Sequence, residues 1–296
     1  MTSLASSPQE TDKLIFAEQC KNIVQNDNVL KIEQSVTQDY DDVYNAIKKF
    51  VSNDLDGVRE IIMESTTSTE TLALVDNSNV TYEEFENYLN SNGVFIYSEE
   101  TSDVTPLSTG SQDVSMSKAM ITYNSSTDEW ILIGGGYWYD GAYDDDMPSA
   151  FFGYLGKVDN VGGLDAVGVA MYQASGTLPT LNRCSGYVHD GNGNNMSLSN
   201  PCNLDSTRGV VFEFQDYRTI IQESPTDYTY MGYGFAAQAV YDSSFAQYHG
   251  KAKSYYAHTW EEASIDSIGI SVDGFSISWT ADVNRWFIYN NSDTTF

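Results

Sequence analysis

Apolar positions along the chain follow two different periods. Over the first hundred residues they recur every three to four positions, the spacing of a helix with one buried face. Tyr40, Val43, Tyr44, Ile47 and Val51 line one such face. Asp39, Asp41 and Asp42 fall in its first turn, and Lys48 and Lys49 near its end, as the helix dipole favours. A second helix is expected from about Asp54, with Leu55, Val58, Ile61 and Ile62 turned inward. Thr81 and Glu84 have the spacing of a capping box, so another helix should open there and close near Gly93. An earlier helix is expected around Leu14 to Val24.

Residues 101–115 are rich in Ser, Thr, Gly and Asp and read as a linker. From Met116 the period falls to two. Val167, Val169 and Met171 share one parity, as do Tyr233, Phe235, Ala237 and Ala239. Phe275, Ile277 and Trp279 alternate with serines. Asp159-Asn160 and Asp273-Gly274 are turn signals, the second a hairpin candidate. These patterns predict an α+β protein, with a small N-terminal helical part followed by a C-terminal antiparallel β-sandwich. The expected organisation is a helical domain over 1–100, a linker over 101–115, and an aromatic-rich antiparallel β domain over 116–296.

Composition adds constraints. Apolar residues make up 41% of the 296, enough for a true core, and no apolar run is long enough for a membrane helix. The formal net charge of −28 disfavours nucleic acid and anionic membranes as partners. It leaves cationic partners and divalent metals open, beside the plain reading that it keeps the protein soluble. Met1 to Pro8 lacks the basic and apolar stretches of a signal peptide. The richness in Tyr, Ser, Thr, Asn and Gly, with little Lys, nevertheless suits a secreted protein whose leader has been removed. A cytoplasmic protein is the alternative.

Of the three cysteines, Cys184 and Cys202 flank a loop-like segment, and a disulfide between them would contribute about 3 kcal/mol in the chain-entropy model. Cys20 lies in a helical stretch and reads as a small buried hydrophobe. Between the paired cysteines, Asp190, Asn192 and Asn194 alternate as the first ligands of a calcium loop do. The twelfth position, where an EF-hand carries Glu, is Pro201, so a further carboxylate such as Asp205 would have to complete the shell. An ordinary Asn/Gly turn explains the same residues. Asp140, Asp144, Asp145 and Asp146 read as a solvated acidic loop. Gly134, Gly135 and Gly136 lack the Lys of a phosphate loop and are expected to leave room for ring packing.

The chain carries 21 Tyr, 13 Phe and 5 Trp, rings that suit sugars and other amphipathic ligands as well as cores. Trp138, Tyr139 and Trp260 are the candidate ligand-binding rings. No nucleophile, zincin or P-loop motif is present. Glu213, Asp216 and Glu261 are weak candidates for the paired carboxylates of a polysaccharide hydrolase, and Glu262 is an alternative to Glu261. His258, near Trp260, reads as a packed strand residue rather than a base. The expected function is therefore a secreted or surface-exposed, non-catalytic binding protein for a carbohydrate or protein ligand, with calcium as its one candidate ion. An exported hydrolase and a secreted toxin or immunity-related protein are the alternatives.

Overall fold

In a computed structural model of the chain, the described residues are 8–28, 40–65, 80–97, 113–139, 142–146, 154–192, 194–196, 198, 207–223 and 226–296. Among the described residues four helices come first: α1 (Pro8–Asn28), α2 (Tyr40–Val51), α3 (Leu55–Ser65) and α4 (Tyr82–Ser91). The strands are β1 (Val94–Tyr97), β2 (Val114–Met116), β3 (Met120–Asn124), β4 (Glu129–Trp138), β5 (Val158–Asn160), β6 (Asp165–Ser175), β7 (Leu181–His189), β8 (Asn195–Met196) and β9 (Gly209–Phe214). They continue as β10 (Tyr217–Glu223), β11 (Thr226–Met231), β12 (Gly234–Tyr241), β13 (His249–Thr259), β14 (Ile265–Ser271), β15 (Gly274–Trp279), β16 (Arg285–Tyr289) and β17 (Thr294–Thr295). All of the strand pairings are antiparallel, and the fold is α+β with its sheets in the C-terminal part.

Two sheets face each other. One runs β1-β3-β4-β12-β7-β8, with β2 also on β4; the other runs β16-β13-β6-β9, with β17 also on β13. The period-two parities decide what lies between them. Val167, Val169 and Met171 of β6 meet Phe235, Ala237 and Ala239 of β12 in one dry core. Gly134 serves that approach: a Cβ there would sit 2.5 Å from Ser254 Oγ on β13. Gly134 therefore makes room for a facing strand, and Gly135 and Gly136 lie against the neighbouring strands β12 and β2; no ring is among the nearest atoms of any of the three, contrary to expectation.

The helices cover the outer face of the first sheet. Val43, Ile47 and Val58 and Phe85 pack on Ile131, Ile133 and Val240, the opposite parity of β4 and β12. The capping box at α4 forms as its spacing predicts: Thr81 Oγ1 accepts from the Glu84 amide, and the Glu84 carboxylate accepts from the Thr81 amide. Lys49 and Tyr187 both donate to Asp54 at 2.6 Å, tying α2 to β7. α1 takes a different place, with Ala17 and Cys20 reaching the inter-sheet core.

Three local expectations differ in detail. The first hundred residues contribute β1, whose Val94 pairs with Asn124 of β3, and β2 begins at Val114 within the stretch read as a linker. Residues 101–112 lie outside the described residues. Asp159-Asn160 is not a turn but the end of β5, held against Arg218 and Tyr217 of β10. The β14–β15 turn is centred on Val272-Asp273, one residue early, because Gly274 opens β15 with φ +106° and already pairs with Ser271.

The remaining strands flank the second sheet. β11-β10-β5 forms a small sheet of its own. The β14–β15 hairpin lies on the outer face of β6 and β13, where Ile265, Ile268 and Ile277 cover Ala166 and Ala257.

Candidate functional site

Alternation along β13 turns Tyr256 and His258 into the core and Tyr255 outward. β6 pairs with β13 through Ala166 and Ala257, which sets the buried Asp165 beside His258. The short link between β9 and β10 carries Gln215 and Asp216, and the Asp216 side chain is also buried. Asp165, Asp216 and His258 thus converge from three separate stretches of chain. One donor atom from each lies within 4.8 Å of the others.

The hydrogen bonds are unequal. Asp165 accepts three: from Tyr256 Oη at 2.6 Å, from His258 Nδ1 at 2.9 Å and from the Thr259 amide at 2.9 Å. Three donors fit an ionised carboxylate, so His258 carries its proton on Nδ1. Asp216 accepts one full-length bond, from Tyr230 Oη at 2.9 Å, and a weak one from Gln215 Nε2 at 3.5 Å. Rings enclose the imidazole: Trp138 at 4.9 Å, Trp286 at 5.4 Å and Trp260 stacked at 5.6 Å. Within that enclosure His258 Nε2 is buried and has no hydrogen-bond partner among the described residues.

Burial and neighbouring charge set the protonation of the trio. Burial raises the Asp216 carboxyl well above the usual range, and the charge of Asp165 raises it further. Burial opposes the charge on His258, but the charge and hydrogen bond of Asp165 outweigh it, so the imidazole is raised. Tyr230 and Tyr256 are raised as well, by burial first and then by the carboxylates.

A second feature lies on the outer face of the same sheet. Phe275 of the β15 strand stacks on Tyr255 at 4.7 Å and on Phe287 at 5.8 Å; Phe287 in turn meets Tyr289 at 6.0 Å. Phe287 and Tyr289 remain 36% and 41% exposed. Polar groups border the row. Lys253 Nζ lies 4.7 Å from the Tyr289 ring and 3.2 Å from Asp293, which also accepts from Tyr172 Oη. At the other end the Arg285 guanidinium sits 4.9 Å over Trp279.

The residues singled out in the sequence are dispersed. Asp216 joins the buried trio, whereas Glu213 has the outward parity of β9, where burial raises its carboxyl. Glu261 is exposed at a turn and accepts from Asn284 Nδ2 at 2.6 Å, and Glu262 is exposed beside it. Trp138 is wholly buried in the core, Trp260 is half-buried over His258, and Tyr139 is exposed against Tyr137. Asp146 accepts from Trp286 Nε1 at 2.8 Å; Asp140 lies outside the described residues, as do the side chains of Asp144 and Asp145.

The calcium-like segment has the bonds of a capped turn. Asp190 Oδ1 accepts from the amides of Asn192 and Asn194, and Oδ2 accepts from Asn194 Nδ2 at 2.7 Å. A cation would have to displace these donors. Asp205 lies outside the described residues. Cys184 is half-buried on β7 and Cys202 lies outside the described residues. Cys20 is a free, buried thiol pushed up to about 12 by burial, the inert state of a core cysteine.

The residues that sequence reasoning passed over are Asp165 and the ring row of Phe275, Phe287 and Tyr289. Asp165 had a faint signal, an acidic residue at the inward parity of an apolar strand. The row had none, because it joins residues of two strands, β15 and β16. No family model matches this chain, and no curated protein matches it.

Proposed function

We propose that the protein is a secreted or surface-exposed, non-catalytic binding protein, and that it takes carbohydrate on the ring row of Phe275, Phe287 and Tyr289. The observation that carries this reading is the row itself: stacked rings, partly open to solvent, bordered by Lys253, Asp293 and Arg285. A sugar presents C–H faces for ring stacking and hydroxyls for charged and polar partners at the border. Export is supported by the cysteines. Cys20 is a free, buried thiol, and Cys184 and Cys202 have the spacing expected of a disulfide in an oxidising compartment.

The test is a glycan array followed by affinity electrophoresis on the polysaccharides it identifies. Replacing both Phe287 and Tyr289 by Ala should weaken retention by about tenfold or more, as loss of two ring contacts implies. The thermal midpoint should barely change, since both rings are already partly exposed. Tyr139→Ala should bind as the parent does. A blank array, or equal retention by the double variant, removes the reading.

A further inference from the structure

The binding reading makes no use of the buried trio. We infer that Asp165, Asp216 and His258 form a site for one divalent metal ion of the zinc class, held between the sheets as a structural clamp. Their donor atoms already lie within 4.8 Å of one another, although they come from β6, the β9–β10 link and β13. Zinc bonds to nitrogen and oxygen of about 2.0–2.2 Å put tetrahedral donors about 3.4 Å apart, so the trio has to draw in by up to about 1.4 Å between donors. One imidazole with two carboxylates suits zinc and its neighbours better than calcium or magnesium, which take oxygen alone.

Two independent features point to a missing cation. The first is charge: two carboxyl groups are buried together beside one imidazole, and burying both as anions is costly without further positive charge. The second is unmet bonding capacity. Among the described residues His258 Nε2 is buried without a partner, and Asp216 accepts one full-length bond from another side chain, that of Tyr230. The surrounding bonds are those that orient metal ligands: Tyr256 and the Thr259 amide on Asp165, and Tyr230 on Asp216. Binding displaces the protons on the ligating groups to solvent. The metal then fixes three stretches of chain that no covalent bond joins. With the trio buried, the ion enters as the chain folds rather than through an opening.

The experiment uses the full chain, unfolded in denaturant with EDTA and refolded with or without zinc sulfate. Both samples are then dialysed against nitrilotriacetate to strip weak surface sites, which a chain of net charge −28 will have. Elemental analysis should find one zinc per chain in the zinc-refolded sample, with a thermal midpoint several degrees above the metal-free protein. Cobalt in place of zinc should give visible bands of nitrogen and oxygen donors, without thiolate charge transfer. Asp216→Asn should cut metal retention by about tenfold or more, with a metal-free midpoint no lower than the parent's. If that variant does not fold, His258→Gln carries the same comparison, and the stoichiometry and cobalt spectrum of the parent decide without either. No retained zinc, equal retention by the folded variant, or a thiolate band overturns the proposal. The trio is then a cluster held by protons alone.

Discussion

At the scale of single residues, burial and charge combine differently on two neighbouring groups. For Asp216 both act to raise the carboxyl; for His258 burial opposes protonation and Asp165 more than restores it. In each case the folded metal-free protein binds its proton more tightly than the unfolded chain. Stability from such a group is full below the unfolded value and is lost as pH rises through the folded one. Asp216 should therefore begin to cost stability above about pH 4, and His258 should lose its contribution above about pH 6.5. Other carboxylates run the opposite way, among them Asp54 and Glu129, lowered despite burial by hydrogen bonds and a nearby cation. The comparison that isolates Asp216 is with Asp216→Asn, in EDTA throughout. The variant should gain on the parent as pH rises from 4 towards the folded value, read from paired thermal midpoints. A constant difference across that range would mean that Asp216 is ionised in the fold. Little of this was legible in sequence. Asp216 was noticed only as a possible partner of Glu213, which has the opposite parity. His258 was correctly placed on a strand, but nothing local says that its neighbour will be Asp165.

At the scale of elements, one tight constraint lies where β4 crosses β13. The two strands belong to different sheets, and Gly134 faces Ser254 with no room for a methyl group. A Cβ would also stand 3.1 Å from Ser254 Cα, so rotation of the serine alone does not relieve the clash. Gly134→Ala should destabilise by about 1–3 kcal/mol, the usual cost of overpacking. Adding Ser254→Gly should recover part of it, since Ser254 Oγ makes no hydrogen bond that would be lost. Urea unfolding of the two variants measures both effects; a double variant no better than the single would place the strain elsewhere. Such crossings are why fold class was easier to read than arrangement. Helix faces, caps and strand parities are local, so α2, β6 and β12 were visible in their apolar positions and α4 in its capping-box spacing. The order β1-β3-β4-β12-β7 depends on pairings between distant stretches, and Gly134 makes sense only once Ser254 is opposite.

At the scale of the whole molecule, the helical part and the first sheet share one hydrophobic layer. Ile131, Ile133 and Val240 have their apolar partners in α2, α3 and α4, and β3 has β1 along its edge. Removing residues 1–100 therefore does two things at once. It opens a contiguous apolar face of the sheet, and it leaves β3 as an unpaired edge, the combination that templates association between chains. The net charge of −28 resists such association at low salt, because like-charged copies repel. Screening shortens that repulsion to about 8 Å at physiological ionic strength, leaving the apolar contact free to act. The truncated chain is thus expected to elute as oligomers or aggregate in size-exclusion chromatography, more so as salt is raised, while the full chain stays unchanged over the same range. A monodisperse truncated monomer with cooperative unfolding would show instead that the two facing sheets suffice, and that the helices are an addition to a β domain already complete.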